Sequence, residues 1–231
     1  MKKNIVHALI VAAIMLSALL MTSAPAALAA SDAAEAQALV EKAQITFNSF
    51  MRDKDYGYLH QNLARAKAVL IYPQVLKAGF ILGGSGGTGV LVMRDKDKKD
   101  WTDPAFYTLG SVTFGLQIGG EAAEVIMLVM TQKAVDTLFS NAMKLGPDAS
   151  IAVGPVGAGA KANVVADFIS FTRSKGAYAG LNLEGSVLDV RDSLNKAYYG
   201  QAVRPVDILA KRTVSNPGAK GLRDDLLKAS K

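Results

Sequence analysis

The chain has no cysteine, two histidines and one tryptophan in 231 residues. The absence of cysteine excludes disulfides, thiolate metal sites, thiol nucleophiles and a lipid-modified N-terminal cysteine. His7 lies in an apolar leader, so His60 is the single imidazole beyond it. A Ser-His-Asp apparatus would have to be built on that one residue, and a two-histidine metal site lacks its second ligand. His60 falls in LHQNLARAKAVL, a stretch of helical character where a half-exposed histidine reads as an ordinary surface residue. Long single-sign charge runs are missing too. RDKDKKD, residues 94–100, mixes four cations with three anions and reads as a solvated loop. Nucleic acid is not an expected partner.

What is present begins with the leader. Lys2 and Lys3 open it, Ala8 to Met21 is almost wholly apolar, and Ala27-Leu28-Ala29 offers small residues for cleavage. Residues 1–30 are therefore read as a secretory signal peptide, with a retained anchor as the alternative. The expected location is periplasmic or secreted. Residues 31–231 then form a single domain large enough for a substantial core. The full chain carries +6, and losing Lys2 and Lys3 leaves +4. That mild excess points to anionic lipid or polymer before nucleic acid.

The stretch from Val75 to Met93, VLKAGFILGGSGGTGVLVM, organises the rest. Two apolar runs, Gly79 to Leu82 and Val90 to Met93, flank a tract in which five of seven residues are glycine. This pattern predicts two strands joined by a tight reversal at the glycines, which make a β-hairpin or a bulge in which backbones come close. Gly84, Gly86 and Gly89 also satisfy GxGxxG spacing, but that motif requires a helix after its last glycine. Val90 to Met93 followed by RDKDKKD reads as strand and loop, and Gly87-Thr88 lacks the P-loop lysine. No cofactor is expected.

Upstream, Ala36, Leu39, Val40, Ala43, Phe47, Phe50 and Met51 share an arc of about 120° on a helical wheel. The stripe predicts an amphipathic helix docked on the core, or alternatively lying in a membrane interface. Tyr58 to Lys67 reads as a second helix, and Pro73 interrupts the apolar run Val69 to Tyr72. Downstream, Val112, Phe114, Leu116 and Ile118 alternate with polar residues and glycines, predicting a strand with one buried face. Val125 to Met130 reads as a central strand covered on both sides. Thr131 is placed to cap a short helix through Phe139. Strand patterns return in SIAVGPVG, VVADFISFTRS and AYAGLNLEGSVL. Short helices are expected over Asp192 to Tyr199, after Pro205, and around Leu222, Leu226 and Leu227. With no βαβ rhythm, the fold class is α+β: a mainly antiparallel sheet or barrel-like core with flanking N- and C-terminal helices.

Five segments stand in order: KAGFILGGSGGTGVLV, WTDPAFY, GLQIGGEAAEVIMLVM, DASIAVGPVG and SKGAYAGLNLEGS. Together, over residues 64–200, they resemble the SYLF-domain family of lipid-binding proteins. The resemblance implies a non-catalytic phospholipid-binding module, with phosphoinositides and in some members actin as ligands. For an exported chain it implies anionic headgroups such as phosphatidylglycerol or cardiolipin. A phosphate headgroup calls for cations on a rigid scaffold. Lys77 at the start of the glycine hairpin, with Arg173 and Lys175 in SFTRSKG, is predicted to converge on one face beside the glycines. Arg94, Lys96, Lys98 and Lys99 join them if the loop leaving the hairpin faces the same way. The alternative is a structural or scaffolding envelope protein whose same surface binds another protein. Glu121 and Glu124 are three apart and would share a face in a helical link, the arrangement of an acid–base pair. Plain surface carboxylates are the expected reading. Glu184 is expected to accept from backbone amides in a turn.

Overall fold

A computed structural model describes residues 31–79, 82–95, 97, 100–114, 119–157, 164–175 and 183–231, with backbone alone at 78, 79, 82, 113, 114, 119–121 and 175. The leader read as a signal peptide lies outside the described residues. Helix α1 covers residues 31–52. A 3-10 turn at Lys54–Tyr56 leads into α2 (Gly57–Leu63). The strands are β1 (Ala68–Gly79), β2 (Leu82–Asp95), β3 (Asp100–Trp101), β4 (Ala105–Phe114) and β5 (Gly119–Val129), then β6 (Ala142–Lys144), β7 (Ile151–Val153), β8 (Phe168–Lys175) and β9 (Val187–Val190). Between them lie α3 (Gln132–Leu138), and after them α4 (Asp192–Tyr199), a π-helical turn (Val206–Ala210) and α5 (Lys220–Ala229).

The sheet order is β6-β9-β4-β2-β1-β5-β8-β7, with β3 added to β2. Every described pairing of these strands is antiparallel except β7 with β8. A bridge between Leu145 and Ala149 joins the chain leaving β6 to the chain entering β7. Residues from both edges also share one apolar cluster. The sheet thus curls into a half-barrel, and the expected α+β class holds.

Alternation along the strands splits the core in two. Val69 and Ile71 of β1, Val90 and Val92 of β2, and Ile126 and Leu128 of β5 face the helices. There they pack beneath Val40, Ala43, Phe47 and Phe50 of α1, so the amphipathic stripe docks on the core. Leu70 and Tyr72, Tyr107 and Leu109, and Val125 and Met127 line the inner face with Ala134, Val135 and Leu138 of α3. Val125 to Val129 is buried throughout, between β1 and β8, as a two-sided strand requires. Thr131 caps α3 by accepting from the Ala134 amide at 3.2 Å.

Two expectations are corrected. The glycine tract is not the reversal: Gly83 to Gly89 lies inside β2 and pairs with β4 along its length. Its role is close approach. β1 bulges at Pro73 and Gln74, where its register slips against both neighbours. A Cβ on Gly87 would lie 2.3 Å from the Gln74 carbonyl oxygen. One on Gly89 would lie 2.4 Å from the Ile71 carbonyl oxygen and 2.6 Å from the Tyr72 ring. The bulge also explains a proline in a central strand, because the residue there owes no ladder hydrogen bond. The second correction concerns the strand over residues 112–118. The buried positions of β4 come earlier, at Ala105, Phe106, Tyr107 and Leu109, while Val112 is 72 % exposed. Residues 115–118 lie outside the described residues.

The C-terminal helix is tied to β3. The buried Trp101 indole donates to Ser230 Oγ at 3.3 Å, and Arg223 Nε donates to the Trp101 carbonyl at 2.8 Å. Arg223 also pairs with Asp100 and, at 3.2 Å, with Asp103. On the opposite side, Asp167 accepts from Thr131 Oγ1 at 2.5 Å and from the Ser150 amide and hydroxyl, both at 2.9 Å. Burial opposes ionisation of Asp100 and Asp167, but these hydrogen bonds prevail and hold both below the usual carboxylate range.

Gly89→Ala is expected to cost about 2–3 kcal/mol in urea unfolding, by overpacking. Gly110→Ala, with no atom within 4 Å of the added carbon, should stay within about 1 kcal/mol of wild type. Acidification is expected to weaken the fold. A carboxylate with a lowered folded pKa contributes stability above its unfolded pKa and loses it as pH falls through the folded value. The urea midpoint should therefore decline below about pH 4, and less steeply in Asp167→Asn.

Candidate functional site

The bulge in β1 inverts that strand's alternation. Ile71 faces the helices, and in a regular strand Val75 would do the same. Val75 instead belongs to the inner cluster. Beyond it Leu76 emerges on the helix face, 55 % exposed, and Lys77 shares the inner side with Val75.

Leu76 stands opposite Ala122 of β5 and Gly86 of β2. Gly86 stands opposite Gly110 of β4, and Gly110 opposite Val187 of β9. One apolar row thus crosses five strands, and Val112 stands further out, opposite Gly84. Ile45 of α1, 66 % exposed, overhangs the same region. With Lys42, Thr46, Pro73, Gln74 and Ala122 it lines a cleft of about 260 Å³ between α1 and the bulge. The result is an apolar platform whose glycines contribute a flat floor, bordered by a lysine.

The predicted cations fall in different places. Arg173 stands opposite Glu124 and braces α1 against the sheet. Its guanidinium lies 4.3 Å from the Phe50 ring centroid and donates to Ser49 Oγ at 2.7 Å. It pairs with Glu124 at 3.4 Å and Asp53 at 3.6 Å. Lys77 is on the inner face, so the structure does not bring it together with Arg173. The expected convergence is not formed, because the bulge turns Lys77 away from the helix layer. Arg94 donates to the Ala64 carbonyl at 2.6 Å and the Ser230 carbonyl at 3.4 Å, and lies over Trp101. It closes helix ends. The backbone of Lys175 pairs with Ala122; its side chain, and Lys96, Lys98 and Lys99, lie outside the described residues.

Glu121 and Glu124 both sit in β5, so three-residue spacing puts them on opposite sides of the sheet and they form no acid–base pair. Glu124 accepts from Thr46 Oγ1 at 3.5 Å besides its pairing with Arg173. His60 Nε2 lies 2.9 Å from the Phe50 carbonyl, joining α2 to the end of α1. Gly84, Gly86 and Gly89 are strand residues, and β2 continues past them to Asp95, so no helix N-terminus follows. Glu184 sits in the turn before Gly185, whose φ is +81°. Among the described residues no cluster of three or more His, Cys, Asp or Glu side chains is placed to hold a metal, and no helix is long and apolar enough to cross a membrane.

Sequence reasoning missed the platform. Its signal was Pro73, which marks the bulge and hence the flip that exposes Leu76. Arg173→Ala is expected to destabilise the fold by about 2–3 kcal/mol, since it leaves Glu124 half-buried without its cation. A double-mutant cycle with Glu124→Gln should give a coupling of roughly 1 kcal/mol by urea unfolding.

Residues 110–229 match the profile of the Ysc84 family, described as "Las17-binding protein actin regulator". The chain is similar to human SH3 domain-containing YSC84-like protein 1, 34 % identical over 152 residues, 64 % of this chain and 44 % of that protein. It is similar to LAS seventeen-binding protein 3 of Saccharomyces cerevisiae, 33 % identical over 167 residues, 69 % of this chain and 36 % of that one. An SH3 domain-containing protein of Schizosaccharomyces pombe is 36 % identical over 172 residues, 71 % of this chain and 38 % of its own. The chain spans less than half the length of each of these relatives. No solved structure matches it.

Proposed function

The chain belongs to the Ysc84 (SYLF) family, and from that membership we propose that it is a non-catalytic, membrane-peripheral module that binds anionic phospholipid. The observation that carries the reading is the apolar platform, where Ile45, Leu76 and Val112 project into solvent beside Lys42. Removing one such side chain from water contributes about 1.5–3 kcal/mol. A lysine near an anionic surface adds about 1 kcal/mol. The glycine floor lets a bilayer interface approach those side chains without obstruction. Phosphatidylglycerol or cardiolipin suits a bacterial envelope, and the pattern of residues 1–30 supports delivery to the periplasm or beyond. The commitment of Glu124 to Arg173 and of His60 to a backbone carbonyl supports a module without chemistry.

A second reading rests on a relative named for binding another protein, the LAS seventeen-binding protein. Under it the same platform meets a protein in the envelope and lipid is incidental.

Vesicle co-sedimentation separates the two. The lipid reading expects binding that rises with the phosphatidylglycerol fraction and falls with salt. It also expects Leu76→Glu with Val112→Glu to reduce partition at least tenfold at unchanged Tm. Partition indifferent to lipid composition, or a double variant that partitions like wild type, would favour the scaffold.

A further inference from the structure

β7 ends the sheet, and among the described residues no strand pairs with its outer edge. The ladder with β8 fixes which of its backbone groups are left over. Gly154 donates its N–H to the Ser170 carbonyl at 2.8 Å, and Phe168 donates to the Ser150 carbonyl at 2.9 Å. With Ala152 in parallel register with Ile169, residues 150, 152 and 154 direct their groups at β8. The intervening Ile151 and Val153 therefore each point an N–H and a C=O away from the sheet. This free edge is bounded at both ends. The Ala149 carbonyl accepts from the Gly146 amide at 2.9 Å, and Pro155 has no N–H to offer.

Natural sheets commonly guard such an edge with charge. β6, at the opposite margin, carries the exposed Lys144, and the short β3 carries Asp100. β7 has no such guard: Ala149 to Gly157 contains no charged side chain. Val153 is 71 % exposed and Val156 51 % exposed, so the edge is open to solvent. Ile151 and Val153 are β-branched and share one side of the strand, the residue type that packs well across neighbouring strands. β5 and β8 stand between this edge and the strand of Leu76, so it is separate from the apolar platform.

We propose that β7 is a self-association edge, at which a second copy of this chain adds its own β7 antiparallel, about a two-fold axis through Ala152. That register sets Ile151 opposite the partner's Val153, and Val153 opposite the partner's Ile151, as hydrogen-bonded pairs. All the outward N–H and C=O groups of both residues are then satisfied in each copy. Ala152 meets its own counterpart in the position without hydrogen bonds. A strand without charge meets no like-charge repulsion when it pairs with itself. It also offers a foreign strand no charge to recognise, whereas the two-fold pair is complementary by construction. The seam is short, so association is weak and governed by concentration. An isologous pair uses both edges and closes without growing into a fibre. The inference goes beyond the lipid reading and does not rest on it.

The test is sedimentation velocity of the full chain over a wide range of concentration, with Tm measured for each variant to establish that it folds. Wild type is expected to show a monomer–dimer equilibrium. Val153→Lys, which puts a charge on the edge, and Val153→Pro, which removes one outward N–H, should each need at least tenfold more protein to dimerise. The absence of cysteine provides a second readout, because Ala152→Cys then carries a single thiol. Opposed residues in that position of an antiparallel pair have Cα atoms about 4.5 Å apart, close enough for a disulfide. Under mild oxidation Ala152→Cys should cross-link at least tenfold faster than Ser193→Cys, an exposed position on α4. A chain that stays monomeric at every concentration overturns the proposal. So does a dimer that Val153→Lys leaves intact while the two cysteine variants cross-link at equal rates. A monomer that binds a synthetic peptide of residues 149–154, and loses it in Val153→Lys, also overturns the second copy and assigns the edge to a foreign strand.

Discussion

Two residues of β1, Pro73 and Gln74, decide what half of the sheet presents to its surroundings. They bulge out of the ladder, and the strand resumes with its faces exchanged. Leu76 is thereby turned out and Lys77 turned in. The bulge is possible because Gly87 and Gly89 of the next strand bring no side chain to the place where its carbonyls and the Tyr72 ring lie. Backbone packed against backbone fixes this arrangement, and both surfaces of the far sheet follow from it.

The helix layer depends on arginine. Arg173 braces α1 through Ser49, Phe50, Glu124 and Asp53. Arg94 closes the ends of α2 and α5, and Arg223 ties α5 to Asp100 and Asp103. The planar guanidinium can stack on a ring and donate along its edge at once, which an ammonium cannot. These arginines are engaged in holding the fold together. The excess positive charge of the chain is therefore a poor guide to where a ligand sits.

Features set by local chemistry were legible in the sequence. Thr131 and its cap, the unbroken run Val125 to Val129, the stripe of α1 and the span of α4 needed only neighbouring residues. The glycine tract misled because glycine serves both tight turns and close approach, and the difference lies in a partner strand far along the chain. Arg173 was legible as a cation in a family motif, but its acids come from the turn after α1 and from β5. The alternation over residues 112–118 predicted burial that Val112 does not have, since none of the described helices covers the sheet there. Pro73 was visible as an interruption. That it exchanges the faces of a strand which then continues, and so sends Lys77 and Arg173 to different sides, is a matter of register across three strands.

The docking of α5 has an optical consequence. Trp101 is the chain's one indole, wholly enclosed, with its nitrogen on Ser230 at the end of that helix and its carbonyl on Arg223. Its emission therefore reports on one seam of the molecule rather than on the whole. A red shift signals that the C-terminal helix has lifted from β3, even while the half-barrel behind it stays intact.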